Sequence, residues 1–231
     1  MKRFSLFILS CIFAVPVFAQ LLIAPTRFVL DADRSITEKI VVENSSDQPL
    51  RLEIKPVYRP ITSAGVTRLT QDIQQTENIA DWIQVSPPVI RELKPNQRRT
   101  IRLRFNALPK DMTDGEYRAY LWFSPIATGQ EQAKDSKQLS GPAFELDFRV
   151  NSYIPIYAQR GKVTQNVDIQ CQKDGIHIQN NGKYQFNATL NINGQDERLV
   201  LLRDSQLIKP VAAKSHATLL QDQKKIHECF F

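Results

Sequence analysis

The side chains best suited to bond-making chemistry are few in this chain: three histidines and three cysteines among 231 residues. His177, His216 and His227 all fall in the last third. A catalytic triad needs a histidine beside a nucleophile. None of the three lies near a serine in an evident strained turn. The chain also lacks Gly-x-Ser-x-Gly, His-Glu-x-x-His and a phosphate-cradling glycine loop. The histidines read as isolated, and no catalysis is expected. Cys171 and Cys229 form no Cys-x-x-Cys, and no histidine spacing completes a zinc site, so neither metal nor cofactor is expected. Under oxidising conditions the two cysteines can form a disulfide, and their shared position late in the chain suggests that they close one small domain.

The densest cationic group is Arg98, Arg99, Arg102 and Arg104. Strand spacing puts Arg102 and Arg104 on one face, opposite Ile101, Leu103 and Phe105. That pattern describes a solvated strand face. A partner bearing acidic groups or a C-terminal carboxylate also suits it. A nucleic-acid partner does not, because the chain opens with an export signal. Lys2 and Arg3 precede an apolar run from Phe4 to Val17, and Val17-Phe18-Ala19 stands before Gln20. Cleavage is expected after Ala19, making residues 1–19 a signal peptide. The run is broken at Pro16, and neither it nor any later stretch reaches the roughly 18 residues of a membrane helix. A lipoprotein site at Cys11 is the rival reading, and Ile8-Leu9-Ser10 fits it poorly. Loss of Lys2 and Arg3 removes two charges from a formal net charge of +6.

The elements that must position any site are strands, because apolar residues alternate with period two and helical periodicity is scarce. The segment from Leu21 to Leu30 is β-prone but interrupted by Pro25, which implies an edge or a kink. Ile36 to Glu43 follows, and Leu50, Leu52 and Ile54 alternate with Arg51, Glu53 and Lys55. Gly65 marks a hairpin, and Thr70 to Ala80 reads as an excursion or a short helix. Trp82, Ile83 and Val85 begin a strand that Pro87-Pro88 ends, and Leu93-Lys94-Pro95-Asn96 makes a turn. Arg99 to Phe105 is the clearest strand. Tyr117, Ala119, Leu121 and Phe123 alternate with Arg118, Tyr120, Trp122 and Ser124.

Thr128 to Ser140 is polar and reads as a long mobile loop. The longest strand candidate follows it. Phe144, Leu146, Phe148, Val150, Ile154 and Ile156 share one parity there, with Glu145, Asp147, Arg149 and Asn151 on the other. An apolar strand of this length left at a sheet edge would be an aggregation hazard or a docking site for another chain. Arg160-Gly161-Lys162 reads as a hinge. Five short strands are expected beyond it: Val163 to Cys171, Gly175 to Gln179, Asn187 to Ile192, Arg198 to Leu202 and His216 to Leu220. The fold class is therefore all-β, with two sandwiches spanning residues 20–159 and 160–231.

Several segments resemble the PapD-like periplasmic pilus chaperones. They are Leu22-Ile23-Ala24-Pro25-Thr26-Arg27, Ile40-Val41-Val42-Glu43-Asn44, Val85-Ser86-Pro87, the run from Leu93 to Leu103, Asp114-Gly115-Glu116-Tyr117-Arg118, and Ser152-Tyr153-Ile154-Pro155-Ile156-Tyr157. The last is similar to a variant branch with a Ser-Ile-Pro-like motif at the end of the first domain. The resemblance covers about residues 21–160, while His177 to Tyr184 is only loosely similar to the family's Asn-x-x-x-Tyr region. It implies two immunoglobulin-like domains at an angle, a periplasmic location, pilins as clients and an outer-membrane usher as recipient.

It also implies that the last strand of domain one is donated to a pilin lacking its own final strand. Phe144, Leu146, Phe148 and Val150 would enter the client's core. Four such side chains would contribute on the order of 6–12 kcal/mol before ordering costs. The family grips the client's C-terminal carboxylate with two basic residues. The first maps to Arg27. The second, a lysine on the last strand, aligns with Pro155, and Arg149 is the nearest basic residue in that strand. The competing reading is a stand-alone structural or adhesive sandwich of a surface fibre, which would need no open edge.

Overall fold

The computed structural model describes residues 21–62, 65–66, 77–127 and 150–231. The expected leader, the polar stretch from Thr128 to Ser140, and Phe144, Leu146, Phe148 and Arg149 lie outside the described residues.

The chain is all-β and builds two sandwiches. In the first, β1 (Leu21–Ala24), β2 (Phe28–Asp31), β3 (Ile36–Asn44) and β4 (Leu50–Val57) are followed by a small hairpin of β5 (Ile61–Thr62) and β6 (Gly65–Val66). A 3-10 turn at Ala80–Trp82 leads into β7 (Ile83–Ser86), then β8 (Val89–Leu93), β9 (Arg98–Phe105), β10 (Gly115–Ala127) and β11 (Ser152–Arg160). One sheet has the order β1-β3-β9-β7 and the other β2-β11-β10-β4-β8. Strand alternation makes the core. On β9, Ile101, Leu103 and Phe105 are buried, while Arg102 and Arg104 face outward. They pack with Ile40, Val42, Leu52, Leu121, Phe123 and Ile156 from the facing sheet and its neighbours.

Turn chemistry sets the register. In the turn between β8 and β9, Gln97 N–H donates to Lys94 C=O at 3.0 Å, so the turn runs one residue later than the sequence suggests. Pro95 then occupies its second position, and Asn96 takes the left-handed φ of 57° that asparagine tolerates. Pro25 does more than kink a strand. The chain leaves one sheet at Ala24 and joins the other at Phe28, so a single β-prone segment becomes β1 and β2 in two sheets.

The second sandwich contains β12 (Val167–Gln172), β13 (Gly175–Asn180), β14 (Phe186–Ile192), β15 (Gln195–Leu201), β16 (Gln206–Pro210), β17 (His216–Gln221) and β18 (Lys224–Phe230). Its sheets are β12-β13-β16 and β15-β14-β17-β18, around Ile176, Ile178, Phe186, Leu190, Leu201 and Leu219. That is seven strands where five are expected. Both unexpected strands, β16 and β18, carry exposed residues over most of their length, so little apolar alternation marks them. Cys171 on β12 and Cys229 on β18 are disulfide-bonded with Cα atoms 5.7 Å apart, tying the two sheets together.

Arg160, read from sequence as part of a hinge, is a fixed post. Its guanidinium donates to the carbonyls of Leu108, Pro109 and Met112 at 2.6–3.0 Å and to Asp33 at 2.9 Å. The bend belongs to Gly161, whose φ is +76° and whose added Cβ would stand 2.3 Å from the Asp114 carboxyl.

Candidate functional site: a half-covered strand beside cation-capped aromatic rings

The crossover at Pro25 determines what is exposed at the margin of the second sheet. β11 pairs with β10 along its whole length, from Ser152↔Phe123 to Arg160↔Gly115. On its other side, β2 covers only Ile156 to Gln159. Among the described residues, the stretch from Ser152 to Pro155 therefore has a strand neighbour on one side only. The chain enters this stretch from Val150 and Asn151, which are not in a strand, and Val150 is 66% exposed. The expected strand end at Ile156 is corrected, since β11 continues to Arg160.

Alternation along β11 sends Ile154 and Ile156 into the core, and Tyr153, Pro155 and Tyr157 to the opposite face. Direct cross-strand partners share that face. Trp122 stands opposite Tyr153, Tyr120 opposite Pro155, and Arg118 opposite Tyr157. On β4, Lys55 lies opposite Trp122. Cations cap these rings. Lys55 Nζ is 4.5 Å from the Trp122 ring centre, Arg59 is 4.1 Å from Tyr153, and Arg27 is 5.1 Å from Tyr157. Arg59 also donates a hydrogen bond to the Tyr153 hydroxyl.

Arg27 sits at the crossover itself, between β1 and β2. Its Nη2 donates to Gln185 Oε1, which belongs to the second sandwich. Gln185 Nε2 donates in turn to Glu116 Oε2 at 2.9 Å, and Gln159 Nε2 reaches the same oxygen at 2.7 Å. Arg27 Nε is buried and has no hydrogen-bond partner among the described residues. A buried donor without an acceptor is costly and calls for an explanation. Burial pushes the Glu116 carboxyl above its usual range despite the amide donors. Burial likewise pushes the Tyr157 phenol up to about 12.

The two sandwiches are also joined by ions. Arg118, with a side chain only 3% exposed, pairs with Glu77 at 3.1 Å, and Arg203 from the second sandwich reaches Glu77 at 3.2 Å. Burial raises the Glu77 carboxyl, against the pull of both guanidiniums. The backbones meet as well, Glu116 N–H donating to Lys183 C=O at 2.9 Å and the Tyr184 hydroxyl to Arg160 C=O. These contacts explain why Glu116 and Arg118 are buried although they occupy the outward parity of β10.

Of the residues expected at the site, Arg27 lies at the junction of the two sandwiches, and Val150 lies two residues upstream of β11. Arg59, Glu77, Gln185 and Arg203 are absent from the sequence reading, and Arg118 enters it only as an outward-parity strand residue and as part of a motif. The one usable signal was aromatic. Tyr120, Trp122, Tyr153 and Tyr157 all fall on the polar parity of their strands, where solvent-facing residues are expected. The histidine reading is corrected too. His227 Nε2 stands 3.4 Å from Cys171 Sγ, and His216 binds Glu228 at 2.7 Å and stacks on Phe230.

No family model matches the sequence, and no curated protein does. Solved structures do match the fold. The chain resembles the Escherichia coli chaperone DraB at 17% identity, covering 94% of this chain and 97% of that one with a TM-score of 0.55. It resembles the SafB chaperone, solved in complex with the Salmonella enterica SafA pilin, at 13% identity and a TM-score of 0.54, covering 94% and 98%. The third is the CsuC–CsuE chaperone–tip subunit pre-assembly complex of Acinetobacter baumannii Csu pili, at 15% identity and 0.51, covering 84% and 91%. The shared fold is a two-domain, all-β fold, and each of those three structures contains a chaperone.

Proposed function

We propose that this chain, built on the fold of the PapD-like periplasmic chaperones, is an exported pilus-subunit chaperone that completes its client by lending it a β-strand. The observation that carries this reading is the half-covered β11. Its upstream backbone, from Ser152 to Pro155, has a pairing partner on one side only among the described residues. An extended client segment added there would gain main-chain hydrogen bonds, and alternate pockets would receive the donated side chains. Phe144, Leu146, Phe148 and Val150 share the parity of Ile154 and Ile156, so a strand continuing upstream from β11 would turn them all to one side. The high exposure of Val150 fits a residue that packs only in the complex.

Arg27 supplies the register. Arg27 directly precedes β2, which meets β11 at Ile156, and a guanidinium can grip a client's C-terminal carboxylate with parallel hydrogen bonds. With Pro155 at the aligned position of the second anchor, Arg59 on the same face of the sheet is the better second cation than Arg149. It is held by Tyr153, two residues from Pro155. Release to an outer-membrane usher would then exchange the loaned strand for one from another subunit.

Co-expression with a candidate exported pilin tests the reading. Leu146→Arg and Arg27→Ala should each fold normally and recover much less soluble client. If both recover wild-type amounts, strand donation by this chain is refuted.

A further inference from the structure

We propose that Cys171, Cys229 and His227 form a redox-gated zinc site, sealed as a disulfide in the oxidised chain and open to one Zn²⁺ when the disulfide is reduced. The placement is set by the strands. His227 and Cys229 are two residues apart on β18 and so project to one side of it. That side meets β12, which brings Cys171 to them from the other sheet. The three donor atoms, two sulfurs and one imidazole nitrogen, all lie within 4.8 Å of one another.

The distances fit zinc. With Zn–S near 2.3 Å and Zn–N near 2.0–2.1 Å, a tetrahedral site has an S···N edge of about 3.5 Å and an S···S edge of about 3.8 Å. Cys171 Sγ already stands 3.4 Å from His227 Nε2. Cleaving the disulfide frees the two sulfurs to separate to the second value, and Cys171 is exposed enough to move. A surface hollow lined by Cys171, Gln172, Lys173, Ala213, Phe230 and Phe231 opens onto the same sulfur and leaves room for a water as fourth ligand. Glu228 is not the fourth ligand, because its carboxylate is engaged by His216 at 2.7 Å and Lys225 at 2.8 Å.

The chemistry balances with a dithiol as reductant. Its two thiols become a disulfide as the Cys171–Cys229 bond breaks, and each cysteine gains one proton. Zn²⁺ then displaces those two protons from the two sulfurs, while neutral His227 donates the Nε2 lone pair. The disulfide ties β12 to β18, so the bound ion would restore the same tie between sheets in the reduced chain.

The test uses the full chain, reduced with a phosphine and freed of excess reductant. It is titrated with Co²⁺ as a chromophoric probe and then with Zn²⁺ against a competing chelator. Reduced wild type should take up one Co²⁺ with a thiolate-to-cobalt absorption band that Zn²⁺ abolishes, and the oxidised chain should show none. Loss of an outer-shell partner alone costs a zinc site about 10–100-fold, so His227→Ala should weaken Zn²⁺ at least about tenfold. His177→Ala, on the face of the β12–β13 pair opposite to Cys171, should bind as wild type does. Each variant is first shown to fold in the oxidised form. Equal affinity in His227→Ala and wild type would overturn the proposal, as would no uptake by the reduced wild type. A reduced chain that loses its tertiary signal and does not regain it with Zn²⁺ would overturn it equally.

Discussion

Replacing Arg27 by alanine should separate stability from binding, because this side chain is poorly satisfied in the free chain. The substitution deletes one hydrogen bond to Gln185, worth about 0.5–1.5 kcal/mol net. It also deletes the contact with the Tyr157 ring, worth about 0.5–2 kcal/mol. Against these losses, it removes a buried Nε with no acceptor, relieving about 1–3 kcal/mol. The terms nearly cancel, so the unfolding free energy of Arg27→Ala from urea denaturation should stay within about 1 kcal/mol of wild type. In the client complex the balance differs, since a hydrogen bond to a charged group contributes about 1.5–3 kcal/mol. Its loss should weaken client binding about 10- to 150-fold, at 1.4 kcal/mol per factor of ten. Urea denaturation of the free chain and calorimetric titration with a C-terminally complete pilin give the two numbers. A variant destabilised by more than about 2 kcal/mol that still binds client with wild-type affinity would show that Arg27 is a structural residue, and the reasoning would fail.

Arg59→Ala should also leave folding intact, since its guanidinium is only partly buried, and should lower client affinity in the same titration; unchanged affinity removes it as the second anchor. Arg160→Met strands the carbonyls of Leu108, Pro109 and Met112 and should cost about 3 kcal/mol in urea denaturation, whereas a loss below about 1 kcal/mol would deny it the role of post. Burial raises the carboxyls of Glu77 and Glu116 above their ordinary 4.5, so the folded chain holds these protons more tightly than the unfolded one. The stability they confer is fully present below pH 4.5 and is lost as pH rises through their folded values. Glu116→Gln should therefore lose less stability than wild type between pH 4.5 and neutrality, and identical slopes in the two proteins would contradict the assignment.

What the sequence makes legible follows from where apolar contrast is strong. β9 alternates arginine with Ile101, Leu103 and Phe105, and β10 carries Tyr117, Ala119, Leu121 and Phe123 on one parity, so their core faces are readable directly. Contrast fails at β16 and β18, where apolar Ile208, Ile226 and Phe230 stand on the exposed parity, and those strands go unread. It also fails on the outward face of β10. Glu116 and Arg118 look solvated by pattern, but Gln185 and Lys183 of the second sandwich bind Glu116, and Arg118 pairs with Glu77, which Arg203 also reaches. Pro25 signals an interruption, but only the pairing of β1 with β3 and of β2 with β11 reveals a change of sheet. His227 and Cys171 are 56 residues apart, and nothing local announces that the disulfide brings the imidazole beside a sulfur.

The central claim, that residues 144–155 become a client's missing strand, is tested most directly by amide hydrogen exchange on the chain alone and with a pilin bound. Strong new protection is expected from Phe144 to Ile154, with the sheet of β1, β3, β9 and β7 unchanged. Client binding that leaves residues 144–154 exchanging as fast as in the free chain would contradict it.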